Sequence, residues 1–441
     1  MNMKKDIDAA FLAACEKRWE EDTLGHVVSN AVIQNGVQLA LMNFEAIKRL
    51  PFTFSVDVWD GNVTDQVTSL RCWAFATLNN VRQHAIEKLQ MKDKGFELSE
   101  DYIYFYDQLE KSNKFLNRAM KMIDEPLDSP KVIGMLRNPI MDNGQWFTCA
   151  DVLDKYGIVP KAFMPDAQVS GDTRYVTRLL AAKLRLAVRN MRNARAEGAD
   201  EDRLYEIKEK ELADIYGMLC RLVGQPPKTF DFGFEKEDGS WQLMEGMTPM
   251  SFWKALEINN DDYMFVISHP SDKYAYNKSY VTRDDLTPGH DVLLNLDVET
   301  IKKLVIAQLK GGEQVVMGCD VAKLSNKAQG FMARDLYLLD EMMGCDVANM
   351  SKKENIEYKN IRGTHIMAFC GVNLDGSGKP DRWKVQNSYG KGMGINGYYV
   401  MADDWFDDFV VSVVINKKFA PKEIVDIYEG APERMSDMAL Y

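Results

Sequence analysis

An α+β protein, with helices gathered in the first half of the chain and strands in the second, is the fold that the sequence predicts. Two patterns carry that prediction. Up to about residue 221 apolar residues recur mostly at steps of three or four, the spacing of helices that bury one face. Later, short apolar runs at 263–268, 314–321, 364–372, 383–387, 397–401 and 410–415 read as strands, with one helical stretch at 298–309. A length of 441 residues with 46% hydrophobic side chains allows a large core, in one elaborated domain or two to three smaller ones.

Residues 7 to about 30 read as one acidic amphipathic helix with Phe11, Leu12, Cys15 and Trp19 on one side, a packing helix that starts the fold. After Pro51, residues 52–58 alternate as a strand entering a loop that carries Gln66. Phe75, Leu78, Val81, Ala85 and Leu89 then mark a helix that begins at Cys72. A second helix follows, capped by Ser99, with Tyr102, Tyr106 and Leu109 on its buried face. Asn143 and Gly144 punctuate the chain before a third helix, which stops at Gly157. Residues 172–221 form two long helical patterns broken at 197–200; Val176, Leu180, Leu184, Val188 and Met191 share one face of the first. Such a hairpin serves as an intramolecular brace or as a subunit contact. The acidic pairs around Trp405 read as a solvated helix face rather than a metal box.

Free cysteines are most often core packing, but Cys72 has suitable company. At a helix start, unpaired N–H groups and the positive end of the dipole favour a thiolate. Gln66, six residues earlier, offers an amide N–H that together with the Cys72 backbone N–H suits an oxyanion. His365 lies on one strand and Asn387 at the end of the next, 22 residues on, with a turn at 375–378 between them. Histidine takes the thiol proton and later protonates a leaving amine, while an amide oxygen fixes its tautomer. The other four histidines, His26, His84, His269 and His290, have no motif around them.

With these residues in view, the sequence resembles the papain-like cysteine peptidases, and within them the bleomycin hydrolase and aminopeptidase C branch. The matches are the Gln66 loop leading to Arg71-Cys72-Trp73-Ala74-Phe75, Thr364-His365 and Asn387-Ser388-Tyr389-Gly390, and the likeness runs over nearly the whole chain. Leu70 stands where the family usually has Gly, which narrows the cleft beside the oxyanion site, and Tyr389 stands where it usually has Trp. The resemblance implies a papain-like two-lobe fold with a helical insertion that separates Cys72 from His365 by 293 residues. The segments expected are 1–170, the helical lobe with the nucleophile; 171–255, the insertion; 256–420, the strand-rich lobe; and 421–441, a C-terminal arm. The resemblance further implies an aminopeptidase without a cofactor or a removable pro-segment, assembled as a homohexamer to which the insertion contributes. In such relatives the chain end lies in the cleft and its carboxylate meets the substrate's free amine. That role falls here to Tyr441, at the end of a tail that looks about four residues shorter than usual.

Composition excludes other classes. The 66 acidic against 54 basic side chains leave a net charge of −12 with no basic block, which disfavours nucleic acid. Seven widely spaced cysteines show neither zinc spacing nor a disulfide frame and suit a reducing compartment. An acidic N-terminus and the lack of an apolar run near 20 residues point to the cytoplasm and away from membranes. The rivals are an endopeptidase of the same fold with an open cleft and a non-catalytic oligomeric scaffold. A scaffold has no need of Cys, His, Asn and Gln at matching stations.

Overall fold

The strand His365–Leu374 runs through the centre of a mixed sheet in the computed structural model, which describes residues 7–59, 61–282 and 292–435. It pairs antiparallel with Val315–Cys319 on one side and Pro380–Gln386 on the other. Val410–Asn416 and Tyr263–Ile267 extend the first wing, and Tyr398–Ala402 extends the second. Every one of these strands except the two ends of Pro380–Gln386 and His365–Leu374 and the last residue of Tyr398–Ala402 is buried throughout, as expected for runs so rich in valine and isoleucine. Met317, Phe369, Trp383, Phe406 and Val413 fill the core beneath them.

The helical lobe forms where the sequence places it. Cys72–Leu89, Glu100–Lys121 and Trp146–Tyr156 pack with Arg174–Ala196 and Glu201–Val223 around Phe105, Leu116, Leu153, Leu184 and Ile215. Ser99 Oγ accepts from the Tyr102 N–H at 3.1 Å, and Asp200 caps the second hairpin helix through the Arg203 N–H at 2.9 Å. Gly157 ends its helix at φ 75°, a conformation that costs any other residue a steric clash. The long hairpin lies against Glu100–Lys121, so it braces the lobe within one chain.

Several expectations are corrected. The first helix is two, Ala9–Glu20 and Thr23–Asn35, because Asp22 caps the second through the Gly25 N–H at 2.8 Å. Glu20 and Glu21 also crowd the negative end of the first, where acidic charge is disfavoured. Nor is it a packing helix in this chain: none of its residues is buried, and Phe11, Leu12 and Trp19 are exposed. Of the 52–58 stretch only Val56–Asp57 pairs as a strand. The carbonyls of Pro51 and Thr53 accept instead from the Arg382 guanidinium. The stretch 171–255 is not helical throughout, since it contains the hairpin Phe230–Glu235 and Trp241–Met247. Lys278–Thr282, Val292–Asn295 and Glu433–Met435 are further strands absent from the sequence reading.

Of the acidic pairs on Asp403–Phe409, Asp404 is exposed as expected, but the other three acids are paired rather than solvated. Lys302 reaches Asp403 at 2.7 Å and Asp407 at 2.5 Å, Arg334 reaches Asp408 at 3.2 Å, and Trp383 Nε1 donates to Asp403 at 3.0 Å. Among the described residues, no cluster of three or more His, Cys, Asp or Glu is placed to hold a metal. No described helix is long and apolar enough to cross a membrane.

Candidate active site

Cys72 opens its helix at the floor of a cleft of about 480 Å³. Gln66, Leu70, His365 and Tyr389 line the same cleft, together with Gly144, Phe147 and Gly318. The helical lobe thus supplies the thiol and the strand-rich lobe the imidazole. Asn387 lies buried behind His365, and its Oδ1 is 2.8 Å from His365 Nε2.

The neighbours of Asn387 settle which ring nitrogen holds the proton. The Ser388 backbone N–H, which can only donate, meets Asn387 Oδ1 at 2.8 Å, so the atom there is the amide oxygen. That oxygen accepts from His365, hence Nε2 carries hydrogen and Nδ1 keeps its lone pair for the thiol. Ser388 also orders Gln66: its Oγ donates to Gln66 Oε1 at 2.7 Å and its carbonyl accepts from the Gln66 backbone N–H at 2.8 Å. Gln66 Nε2 donates one hydrogen to the Ser69 carbonyl at 2.7 Å, which leaves its second hydrogen for a ligand.

Burial governs the charges. It pushes the Cys72 thiol up to about 11, against the backbone hydrogen bonds of Ile366 and Trp73, which lower it. Burial thus works against the lowering expected at a helix start, so the thiolate depends on a partner for its charge. Burial likewise pulls His365 down to about 4, opposed by the hydrogen bond to Asn387 and aided by Lys327. Each isolated charge is costly, but moving the proton from Sγ to Nδ1 creates both at once. Opposite unit charges about 4 Å apart attract by about 4 kcal/mol at an effective dielectric constant near 20. The chemistry available is that of a coupled thiolate–imidazolium pair.

Residues around the nucleophile hold it in place. Arg71, buried, pairs with buried Asp101 at 2.6 Å, donates to the Ser170 carbonyl at 2.7 Å and lies between the rings of Phe75 and Tyr104. Asp101 in turn accepts from the Ala167 N–H and the Ser170 hydroxyl. On the next residue, Trp73 Nε1 donates to the Asp142 carbonyl at 2.8 Å. The Asp142 carboxylate accepts from Tyr104, Thr173 and Thr177, tying the long hairpin to the cleft wall. A Cβ on Gly144 would stand 2.7 Å from the Trp73 ring, so this wall closes only on glycine. Sequence reasoning missed Asp101 and Asp142, since an acid in a first helical turn and an acid in a turn-like loop are both ordinary.

Leu70 is 60% exposed on the cleft rim, and Tyr389 stacks on the His365 ring with centroids 5.0 Å apart and planes 7° apart. Both departures from the family pattern therefore face the cleft. Cys149, Cys319 and Cys370 are buried, and burial raises all three thiols. His26 packs edge-on against Trp19, His269 is buried beside Tyr274, and His84 is twelve residues along the nucleophile helix. His290 and Tyr441 lie outside the described residues. Gln66→Ala is expected to lower kcat by about 10²- to 10³-fold, the usual cost of one oxyanion donor, with the melting temperature nearly unchanged. A loss below threefold in steady-state assays would remove Gln66 from this role.

The chain matches the Peptidase C1-like family over residues 6–438. It is 34% identical over 434 residues to aminopeptidase C of Listeria monocytogenes serovar 1/2a, covering 98% of this chain and 97% of that one. To aminopeptidase W of Lactobacillus delbrueckii subsp. lactis it is 33% identical, with 98% of each chain covered. The crystal structure of PepW from Lactobacillus rhamnosis superposes with a TM-score of 0.92 at 35% identity over 98% of both chains.

Proposed function

Because the chain belongs to the Peptidase C1-like family, as a cysteine-type peptidase of papain-like α+β fold, we propose that it removes N-terminal residues from peptides in the cytoplasm. The observation that carries the reading is the 2.8 Å contact of His365 Nε2 with Asn387 Oδ1, behind a cleft that Cys72 and His365 share. In this reading His365 Nδ1 takes the Cys72 proton and the sulfur attacks the scissile carbonyl. The oxygen that turns negative is held by the Cys72 backbone N–H and the second hydrogen of Gln66 Nε2. The imidazolium then protonates the departing amine, leaving a thioester, and on the return path it activates the water that hydrolyses it.

Aminopeptidase names among relatives of nearly equal length support the exopeptidase form of this activity. A free substrate amine, positively charged below about pH 8, needs a nearby anion. We assign that part to the chain's own terminal carboxylate at Tyr441. Met435 is buried on the edge strand, and the six residues after it reach at most about 20 Å. Uncovered apolar side chains on the N-terminal helices, Phe11, Leu12, Trp19 and Val27, support assembly of several copies, as in a homohexamer. Removing residues 438–441 is expected to cut cleavage of free-amino fluorogenic peptides at least tenfold and to raise cleavage of amino-blocked ones. Kinetics on both substrates, beside native mass measurement of each protein, decide it, and an unchanged ratio means that the tail does not set specificity.

A further inference from the structure

Outward from His365, the aromatic stack at the edge of the cleft carries a cation. His365 is covered by the parallel ring of Tyr389, and the Lys327 ammonium lies over that ring, 5.6 Å from its centroid. Lys327 is exposed and, among the described residues, makes no ion pair, in a protein of net charge −12. Its position is nevertheless held. It sits in the tight turn between Ser325–Asn326 and Phe331–Met332, closed by the Gly330 N–H on the Asn326 carbonyl at 2.8 Å and the Gln329 N–H on Asn326 Oδ1 at 3.0 Å. The Ala328 carbonyl accepts from the Gly394 N–H at 3.1 Å, which fastens the turn to the loop that follows Tyr389. The ammonium also lowers the His365 pKa, a mark of its closeness to the site.

The leaving amine takes its proton from His365, so the leaving residue must pass beside this stack. We propose that Lys327 is a specificity residue for the leaving side, reading a carboxylate on the first residue after the scissile bond. This rests on the peptidase reading above. The carboxylate has two possible sources: the α-carboxylate of a dipeptide, or the side chain of Asp or Glu in a longer peptide. In either case an unpaired cation carried over an aromatic ring by a held turn gives a charge-assisted contact that a neutral group cannot replace.

The test compares kcat/KM for leucyl-alanine with leucyl-alanine amide, and for leucyl-glutamate amide with leucyl-glutamine amide, in wild type, Lys327→Gln and Lys327→Arg. The carboxylate-to-neutral ratio of at least one pair is expected to fall about three- to tenfold in Lys327→Gln, between the worth of exposed and desolvated charge contacts. Lys327→Arg is expected to restore it, and added salt to shrink it in wild type and Lys327→Arg but not in Lys327→Gln. The pair that responds identifies the source. Ratios that are equal in wild type and Lys327→Gln for both pairs overturn the proposal. Should no peptide be cleaved, the peptidase reading fails, and Lys327 is judged by alkylation of Cys72. The rate with iodoacetate relative to iodoacetamide is expected to drop about two- to fourfold in Lys327→Gln at low salt, and no drop overturns the proposal.

Discussion

His365→Ala is expected to lower kcat by about 10⁴- to 10⁶-fold, comparable to the loss on replacing Cys72 itself, because neither member of a coupled nucleophile–base pair acts without the other. The reason here is burial. With its thiol pushed up to about 11, Cys72 alone supplies almost no thiolate at neutral pH, and only proton transfer to His365 generates it. Iodoacetamide is accordingly expected to label Cys72 first near pH 6–7 in the wild type and slowly in His365→Ala, as read by peptide mapping. Asn387→Ala is expected to retain more turnover, since an unanchored imidazole still samples the right tautomer. The sign of the pH dependence follows. Below about 4 His365 gains a proton while Cys72 keeps its own, so no base remains; above about 11 both protons are gone and the leaving amine has no acid. The substrate's own amine adds a limb near pH 8. Equal alkylation rates in wild type and His365→Ala, or Cys149 or Cys370 labelling first, would contradict this pairing.

Arg71→Met is expected to cost about 3–5 kcal/mol of stability, because it strands the Asp101 carboxylate without its cation where water cannot reach. Methionine fills most of the space between Phe75 and Tyr104, so the loss reports charge rather than volume. Activity is expected to fall as well, since Arg71 is the residue before the nucleophile and joins it to the Ser170 segment. Adding Asp101→Asn to Arg71→Met is expected to recover part of the stability by removing the stranded charge. Urea midpoints of wild type and the two variants measure this. A single variant within about 1 kcal/mol of wild type would show that the pair is not what fixes the helix start.

Much of the helical lobe was legible because its signals are local. Periodic apolar residues, the Ser99 cap, the break at 197–200 and Gly157 each act within one or two turns, and each helix appears where they put it. The central strands were legible for the same reason, as runs buried on both faces. The candidate site was visible as residue types in a family pattern, with Cys72, Gln66 and His365 meeting in one cleft and Asn387 behind. Propensity misled where a distant group captured the backbone or the charge. Residues 52–55 read as strand until Arg382 takes the Pro51 and Thr53 carbonyls, and Asp403, Asp407 and Asp408 read as solvated until Lys302 and Arg334 reach them. The hairpin at 230–247 was missed although Phe230, Phe232 and Phe234 alternate clearly, because the helices before it set the expectation. By itself the sequence determined most helices of the helical lobe, the central strands and the residue types that meet in the cleft, since periodicity and residue type are properties of neighbours in the chain. Only the tertiary structure decided that burial raises the Cys72 thiol, that His365 keeps its Nε2 proton and that Lys327 overhangs Tyr389, because solvation and charge pairing depend on groups distant in sequence that folding brings within a few ångströms.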